Sequence, residues 1–545
     1  MLKKLKTIFR EEIKEVQDAI HQAKDDLESG KVEEWLSEEL KKEVEQYYNL
    51  VGPDKPDWLE DVYLIGLAWK HYITKPEKPL FVEVEYTGGK TKYTIHYDAI
   101  EQHILKKFCV IRYVTLWIWN GKQFVENKGE IEAEIKRILQ SYGITDDKKI
   151  QSIINEIMFR LNYTNFARDY PFNPFKVIPC KNGVFVPNHG LYPHSPGFLN
   201  SFCINANYDP NAKCPKIDKF ISEIVHEKDR QILYEIPALA IMQANDRFQV
   251  AYMLVGSGSN GKSTYLRLIT TFLGPQNVSN IALQELTDRF RPAQIVGKLA
   301  NIYADIPSKP IKYTGMFKML TGGDRITLEK KYKDPFEYTN KAVFVFSANE
   351  LPEVNDISYA FWRRWIVVQF PNKFSKNTNL INELTTDEEL SGFLNKVIHA
   401  MNLIELRGEI TKTDEVEKIM EEWFCRSNPV YAFIKNCIEK DSDVTTSKDS
   451  VYDAYICFCN LHNYNTLPKN KFAMELQRYI PVRQTRPKIE GERVMAWQGI
   501  KLKCHECQED CEMKEKPIVG IGYNQTSLTN LAEKDWDLDD VLGGD

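Results

Sequence analysis

The chain has 545 residues, too many for one hydrophobic core, and its 43% apolar and 27% charged content is typical of a multidomain globular protein. The formal net charge of −6 excludes a chain-wide basic surface, so any nucleic-acid contact has to be local. No apolar run is long enough to cross a membrane and the N-terminal MLKKLKTIFREEIKEV lacks the apolar core of a secretory signal, which predicts a cytoplasmic protein.

The first part of the chain predicts mainly helices. IFREEIKEVQDAIHQAKDDL and EEWLSEELKKEVEQYY repeat apolar residues at three- and four-residue spacing with charges between them. This pattern favours a solvated helical bundle over a basic binding helix. After it, FVEVEYTGGKTKYTIHY predicts a β-hairpin that turns at Gly88 and Gly89.

The next part mixes short strands and helices and carries no recognisable catalytic group. VTLWIWNGKQFVENKGEIEAEIKRIL predicts a hairpin followed by a helix, and CKNGVFVPNHGLYPHSP predicts another strand and a turn. A helical stretch is predicted from about Lys216 to Ala244.

From residue 250 to 370, buried strands alternate with helices. The strands are VAYMLVG, ANIYADIP, KAVFVFSAN and WIVVQFP, with a Gly-rich hairpin before the third. This order predicts an α/β fold with a parallel sheet flanked by helices, followed by more helices to about Ser427.

The segment GSGSNGKST fits the phosphate-loop pattern GxxxxGK[ST], and it lies between a predicted strand and a predicted helix. Backbone amides and the helix N-terminus would surround the phosphates of ATP, Lys262 would contact the outer phosphates, and Ser263 would bind Mg²⁺. The alternative is a glycine-rich turn that fits by chance. The predicted ATP-binding residues are Gly256, Ser257, Gly258, Ser259, Asn260, Gly261, Lys262, Ser263 and Thr264.

Polar side chains at the ends of three further strands are candidate partners of this loop. Asp305 is placed to bind Mg²⁺ through water, and Asn349 to orient the attacking water. Arg363 and Arg364 precede the last strand, where a guanidinium could serve as an arginine finger. The alternatives are a lone acid at a strand end, an asparagine that starts a turn, and a surface salt bridge.

In this order, GSGSNGKST, KLANIYADIP, FKMLTGGDRITLEKKYKDPFEYTNKAVFVFSANELPEV and YAFWRRWIVVQF resemble the motifs of the superfamily three helicases. The resemblance is closer to the primase-helicases of phages, plasmids and poxviruses. NGVFVPNHGLYPHSP and NYDPNAKCPKIDKFISEI are similar to that family's N-terminal helicase module, and VYDAYICFCNLHNYNTLPKNKFAMELQRYI is similar to its winged-helix segment.

The resemblance implies roles for particular residues. Lys262, Asp305 and Asn349 would be catalytic, with Ser263 and Asp305 as metal ligands, and Arg364, with Arg363 beside it, would reach the ATP of an adjacent subunit. Many relatives have two acids where Ala304 and Asp305 stand, so the general base stays open. LEKKY would form a hairpin in the ring's channel, with Lys331, Tyr332 and Lys333 contacting DNA, although a solvated turn would look the same.

Residues 427–503 form a basic region in which VYAFIKNCIE, SVYDAYICFCNLHN and KNKFAMELQRYI predict helices and VRQTRPKIEGERVMAWQGIKL predicts a hairpin. Three helices and a two-stranded wing are winged-helix architecture. The alternative is a protein-binding module. The candidate DNA-binding residues here are Lys469, Lys471, Arg478, Arg483 and Arg486.

The cysteines are scattered, which favours reduced thiols over a disulfide framework. Cys504, Cys507 and Cys511 follow the basic region. Because a second CxxC pair is absent, their spacing favours reduced thiols, and a zinc site with these cysteines as ligands is the alternative. An acidic segment, WDLDDVL, ends the chain, and its composition favours disorder.

The resemblance and the composition shifts together predict five parts. These are a helical N-terminal region (1–95), the family's N-terminal helicase module (96–245), an AAA+-like ATPase domain (246–426), a winged-helix domain (427–503) and a cysteine-containing acidic tail (504–545). The expected function is an ATP- and Mg²⁺-dependent DNA helicase of a plasmid or virus replication system. The resemblance implies a hexameric ring, 3′ to 5′ travel, and a primase or polymerase as partner. The alternative is an ATP-regulated initiator that melts origin DNA without processive unwinding.

Overall fold

The computed structural model describes residues 1–28, 38–50, 55–74, 79–164, 167, 169–307, 310–356, 358–375, 377–489 and 492–503. The N-terminal region folds into helices, as the spacing of its apolar residues predicted. They are α1 (Leu2–Ile8), α2 (Arg10–Glu28), α3 (Glu38–Leu50) and α4 (Asp57–Thr74). Helix α4 is the most buried of them. Gly197 packs so closely against it that an added Cβ would lie 2.8 Å from Val62 Cα, which ties the helices to the next part of the chain.

The elements between residues 79 and 250 alternate short antiparallel strands with helices. In chain order they are β1 (Val82–Thr87), β2 (Lys90–Ile95), α5 (Tyr97–Phe108), β3 (Ile111–Tyr113), β4 (Thr115–Trp119), β5 (Phe124–Glu126), α6 (Lys128–Ser141), α7 (Asp147–Leu161), β6 (Ile178–Cys180), β7 (Gly183–Val186), β8 (Gly190–Tyr192), α8 (Pro215–Ile224), α9 (Arg230–Met242) and α10 (Asn245–Phe248). The turn between β1 and β2 falls at Gly88 and Gly89, both with positive φ, as predicted.

Two details in this region differ from the sequence expectation. The helical stretch predicted for residues 216–244 is two helices, because the chain leaves the helix at Val225 and re-enters it at Arg230. The hairpin β1–β2 packs with the helices that follow it: Phe81 and Val82 share a separate apolar core with α5, α6 and α7. By packing, therefore, the hairpin belongs with residues 96–161 and not with the four helices before it.

A five-stranded parallel sheet forms the centre of the described chain. Its region contains β9 (Ala251–Val255), α11 (Lys262–Leu273), β10 (Val278–Ser279), β11 (Ala300–Tyr303), α12 (Gly315–Gly322), β12 (Arg325–Leu328), β13 (Phe336–Thr339), β14 (Val343–Ala348), α13 (Tyr359–Trp362), β15 (Trp365–Gln369), α14 (Leu380–Leu384), α15 (Asp387–Arg407) and α16 (Asp414–Ser427). The strand order is β10-β11-β14-β9-β15 and every pairing is parallel. The central strand β14 is buried along its whole length, as expected where helices cover both faces.

The C-terminal part contains α17 (Pro429–Cys437), β16 (Ile438–Ser447), α18 (Lys448–Leu461), α19 (Lys469–Tyr479), β17 (Arg483–Thr485), β18 (Lys488–Ile489), β19 (Glu492–Arg493) and β20 (Ala496–Leu502). Strands β16, β20 and β17 form an antiparallel sheet in that order. Strand β16 corrects the predicted helix VYAFIKNCIE, because Ile438 and Glu439 leave the helix to pair with Leu502 and Lys501. A polar strand of this kind has no alternating apolar pattern by which the sequence could show it.

Cysteines of the described chain with free thiols include Cys109, Cys180, Cys203, Cys214, Cys425 and Cys459. Burial raises the pKa of the Cys203 thiol to about 11, which keeps it protonated and unreactive. Cys457 is disulfide-bonded, so the expectation of reduced thiols holds for those residues but not for this one. Within the described ranges, no helix is long and apolar enough to cross a membrane.

Candidate functional site

The segment GSGSNGKST forms the connection between β9 and α11 at the carboxyl edge of the parallel sheet. Only glycine fits at two of its positions. At Gly256 an added Cβ would lie 2.0 Å from Asn260 Nδ2, and at Gly261 it would lie 2.6 Å from Ile224 Cγ2. Gly258, Ser259 and Gly261 all have positive φ. The loop is therefore tightly curled in front of the N-terminus of α11, where the first backbone N–H groups have no partner within the helix.

Lys262 begins α11 and is 3% exposed. Its Nζ donates hydrogen bonds to the Gly256 carbonyl oxygen, to Asn260 Oδ1 at 3.2 Å and to Asn349 Oδ1 at 3.4 Å. Burial lowers the pKa of Lys262, and the charge of Asp305 partly opposes that shift. The lysine of the loop is thus held by neutral oxygens, and the approach of an anionic phosphate would improve its surroundings.

Asp305 follows β11 and its backbone is in the left-handed region, with a φ of 51°. This conformation is uncommon for a residue other than glycine and is concentrated at functional sites. Ser347 of β14 fixes this part of the backbone: the Asp305 N–H donates to Ser347 Oγ at 3.0 Å, and the Ile306 N–H donates to the Ser347 carbonyl oxygen at 2.8 Å. The Asp305 carboxylate itself is exposed to solvent.

Lys262, Asp305 and Asn349 meet at one edge because β9, β11 and β14 are adjacent parallel strands whose carboxyl ends lie together. The sequence expectation that these three residues share a site agrees with this geometry, and their individual roles stay predictions. Ser263 and Asp305 offer a hydroxyl and a carboxylate, which are oxygen ligands of the kind Mg²⁺ prefers. No group of three or more metal-binding side chains occurs in the described part of the chain, so phosphates and water would have to complete such a site.

The two arginines lie at the opposite end of the sheet, because Trp365 of β15 pairs with Ala251, the first residue of β9. Arg363 is exposed, and its Nη2 donates to Gln249 Oε1 at 2.5 Å. Arg364 is 6% exposed and donates to the carbonyl oxygens of Ala360 and Lys318, the latter at 3.3 Å. Burial and the neighbouring Arg363 lower the pKa of Arg364. The pair is thus divided between a solvent-facing and an inward-facing guanidinium.

The residues predicted to contact DNA in the channel lie on the turn between β12 and β13. Tyr332 is fully exposed with a positive φ, and Lys331 and Lys333 on either side of it are also exposed. Below this tip the hairpin is fastened to its surroundings by ion pairs. Glu329 accepts two hydrogen bonds from Arg289, at 2.7 and 2.9 Å. These contacts engage both oxygens of Glu329.

The basic residues of the C-terminal part are on α19 and on the strand after it. Lys471 is exposed, whereas Lys469 pairs with Asp449 and Arg478 lies 3.6 Å from Glu475. Arg483 is exposed on β17, and Arg486 Nε lies 2.7 Å from Met495 Sδ. The basic surface is therefore partly neutralised by its own acidic neighbours. Cys504, Cys507 and Cys511 fall outside the described residues, and Cys457 in its disulfide form is no thiolate ligand for zinc.

Two residues at these sites were not identified from the sequence. Ser347 is buried, and its hydroxyl accepts a hydrogen bond from the backbone N–H of Asp305. The sequence indicates this contact only by placing Ser347 on the strand that follows the acid in the sheet order. Glu126 forms an ion pair of 2.7 Å with Lys330, just below the hairpin tip, although 204 residues separate the two in the chain. No local pattern could have indicated that pair.

Sequence models of three families match the chain in separate segments. The D5 N terminal like family matches residues 98–226, a family of unknown function (DUF5906) matches residues 254–364, and the Poxvirus D5 protein-like family matches residues 426–518. Together they cover the short-stranded module, the parallel sheet with its loop, and the C-terminal part.

Two viral proteins are similar to this chain. "Putative helicase L207/L206" of Acanthamoeba polyphaga mimivirus is 27% identical over 239 residues, which is 40% of this chain and 24% of that protein. "Putative helicase 121R" of Invertebrate iridescent virus 3 is 25% identical over 222 residues, or 37% of this chain and 23% of that protein. The match thus spans about a quarter of the length of each relative.

Among solved structures, two of the NrS-1 C terminal region overlap with this chain at TM-scores of 0.42 and 0.43 and at 13% and 14% sequence identity. The overlaps cover 70% and 73% of this chain and 93% and 98% of the other. Similarity at this level does not by itself establish a shared fold.

D5 family models match the chain on both sides of the parallel sheet, and the two viral relatives are named as putative helicases. These similarities support the superfamily three primase-helicase type. This agrees with the resemblance carried by the sequence motifs.

Proposed function

We propose that the chain is an ATP-dependent DNA helicase of a virus or plasmid replication system, in which residues 246–426 form an AAA+-like phosphate-loop ATPase. The observation that carries the proposal is the contact of Lys262 with Asn349 at the carboxyl edge of the sheet, where Asp305 follows β11, the next strand on the other side of β14. A lysine, an amide and a carboxylate at one strand edge are the groups that phosphoryl transfer to water requires.

ATP would be held by the loop residues 256–264, with Lys262 against the outer phosphates. Mg²⁺ would be held by the Ser263 hydroxyl and the Asp305 carboxylate and would neutralise charge on the phosphates. Asn349 would orient the attacking water, because its amide oxygen already lies 3.4 Å from Lys262 Nζ. With a single acid at this position, the acceptor of the water's proton would be Asp305 or a group supplied by a neighbouring copy.

The arginines support an assembly with ATP sites between subunits. The arginines precede β15, whose five residues span about 17 Å. The phosphate loop follows the carboxyl end of β9, the parallel strand beside β15, and so lies at the opposite end of the sheet. Neither arginine is therefore placed to contact the nucleotide of its own loop. The resemblance favoured Arg364 for contact with the ATP of an adjacent copy. Because Arg364 is buried and Arg363 is exposed, we assign that contact to Arg363 instead, and Arg364 would support it from inside the protein. In a closed ring, expected to contain six copies, every ATP site would receive an arginine from the adjacent subunit.

DNA would be contacted in two places. The exposed Lys331, Tyr332 and Lys333 would grip one strand in the ring's channel through phosphate contacts and stacking. Residues 427–503 would act as a winged-helix domain on duplex DNA, with α19 as the groove-facing helix and Lys469, Lys471, Arg478, Arg483 and Arg486 near the phosphates. The helices of 1–95 and the module of 96–245 would flank the ring, and a primase or polymerase would act with it. Travel from 3′ to 5′ is the direction that the family resemblance implies.

A strand-displacement assay tests the proposal. The purified chain, ATP, Mg²⁺ and forked duplexes with a free 3′ or 5′ arm are combined, and separated strands are measured over time. Unwinding only with a free 3′ arm is the expected result. DNA-stimulated ATP hydrolysis without separation of either fork would instead favour the alternative, an initiator that uses ATP to assemble on origin DNA. Absence of hydrolysis would contradict both functions.

A further inference from the structure

The DNA-contacting hairpin is attached to the N-terminal module at several points. Tyr113 Oη donates to the Glu337 carbonyl oxygen at 3.1 Å, and its ring lies 6.4 Å from that of Phe336. Tyr170 contacts Tyr338 edge-to-face at 5.8 Å. These contacts hold strand β13 of the hairpin. The hairpin is thus supported by residues that the chain supplies more than 150 positions earlier.

One of these attachments uses a lysine at the tip itself. Glu126, the last residue of β5, pairs with Lys330 Nζ at 2.7 Å, and the two side chains are 36% and 26% exposed. Lys330 directly precedes Lys331 and Tyr332, and the Lys333 N–H donates to its carbonyl oxygen. The carboxylate of the module therefore neutralises a cation that belongs to the same turn as the proposed DNA contacts.

The ion pair of Glu126 and Lys330 is open to a ligand as large as a nucleotide. Glu126, Lys330 and Lys331 all line a groove of about 910 Å³ between β5 and the segment from Gln276 to Lys298. Sites for small ligands have volumes of about 300–1,000 Å³, so a nucleotide fits at the pair without separating the module from the sheet. The other lysine in the groove, Lys298, already donates to the Gln276 carbonyl oxygen.

A carboxylate and a phosphate diester compete for the same kind of partner. Both are anionic oxygen acceptors, and an ammonium group binds each through a charge-assisted hydrogen bond. A partly exposed ion pair of this kind is worth little, about 0.2–1 kcal/mol, so a phosphate brought in by other contacts of the strand can displace the carboxylate. The displacement would also release the tip from the module.

We propose that Glu126 is a latch that occupies Lys330 in the DNA-free protein and that a phosphate of the bound single strand replaces it. This inference rests on the proposed function, since it requires that the hairpin binds single-stranded DNA. By this inference, a residue of the N-terminal module lowers the affinity of the hairpin for single-stranded DNA. DNA binding would also break the Glu126–Lys330 contact between the module and the hairpin.

The test is the salt dependence of single-stranded DNA binding, measured by fluorescence anisotropy of labelled oligothymidylate with the full chain. In the wild type, the phosphate that binds Lys330 displaces Glu126, and the released carboxylate can take up a cation from solution. The contact between Lys330 and the phosphate therefore contributes little net release of counterions. Glu126→Gln frees Lys330, and we expect binding about two- to five-fold tighter at low salt. The slope of log affinity against log salt should become steeper by about 0.7.

Glu337→Gln is the matched control, because Glu337 lies on the same hairpin and pairs with Arg325 at 2.5 Å, away from Lys330. It removes the same charge and should leave the slope unchanged. In a Lys330→Gln background, Glu126→Gln should have no further effect. Equal slopes for wild type and Glu126→Gln, or equal changes in both glutamine variants, would overturn the latch alone. No binding by any of the proteins would overturn the channel contact as well.

Discussion

The nucleotide edge and the hairpin tip hold their key side chains in different ways. At the edge, Lys262 is buried and bonded to oxygens of the loop and of Asn349, and the backbone N–H of Asp305 is held by the hydroxyl of Ser347 on β14. At the tip, Tyr332 is fully exposed, and the nearest fastening is an ion pair to a different part of the chain. Buried hydrogen bonds preorganise a site for one ligand geometry, whereas partly exposed ion pairs let a contact change partners.

The largest expected effect is a loss of ATP turnover, and the melting temperature should distinguish the roles of the two arginines. Arg363→Ala should lower ATP turnover by about 1,000-fold or more, because an arginine finger stabilises transition-state charge. Its melting temperature should match the wild type, since the side chain is exposed. Arg364→Ala should also lower turnover, but with a lower melting temperature, because it removes a buried donor to two backbone carbonyls. Turnover and thermal unfolding are measured for both.

Mixing experiments sharpen that prediction. A Lys262→Ala chain and an Arg363→Ala chain, each inactive alone, should regain part of the turnover when combined, because mixed interfaces would contain one complete site. An Arg363→Ala chain with normal turnover would remove this residue from the interface site.

Lys262→Ala is expected to lower the rate of ATP hydrolysis by about 100-fold or more, because it removes a preorganised charge at the phosphates. Arg267→Ala changes an exposed cation on the same helix and is the control, with turnover close to the wild type. Single-stranded DNA binding without nucleotide should be unaffected in both variants. Loss of DNA binding in Lys262→Ala would show that the nucleotide site and the hairpin tip do not function independently.

Substitutions at the hairpin tip should have the opposite effect, so that DNA binding is lost and ATP binding is retained. Lys331→Ala combined with Tyr332→Ala should weaken single-stranded DNA binding by about tenfold or more, because a stacked base contributes about 1–3 kcal/mol. ATP binding should be retained, while unwinding of a forked duplex should be lost. Tyr86→Ala is the control, since Tyr86 is 82% exposed on another hairpin. Normal unwinding by the double variant would remove the tip from the DNA path.

The smallest effect is on stability and concerns the segment before the arginines. Burial raises the pKa of Asp356, but hydrogen bonds from Lys318, Ser358 and Thr314 outweigh it and lower the pKa from 3.8 to about 2. A depressed folded-state pKa stabilises the protein above about pH 4, and the stabilisation is lost as the pH falls toward 2. At neutral pH the shift corresponds to about 2 kcal/mol. Asp356→Asn should thus melt earlier at pH 7, and the difference should shrink at pH 3.

Much of the fold could be predicted from local patterns. The strands around GSGSNGKST, ANIYADIP and KAVFVFSAN were visible as apolar runs, and the hairpin at Gly88 and Gly89 as a turn between alternating residues. Strand β16 could not be predicted, because it is polar and exists only through its pairing with β20. The same limit applies to Glu126, whose partner is defined by packing alone.

The sequence by itself determined which residues are proposed to carry the chemistry: the loop around Lys262, the acid and amide at strand ends, the double arginine and the LEKKY turn. It could do so because each is a local pattern of residue type and spacing. Only the tertiary structure decided how they are used. It buries Arg364 and exposes Arg363, holds Asp305 through Ser347, and places Glu126 against Lys330. Burial and long-range pairing depend on how distant segments pack, and neighbouring residues in a sequence do not record that.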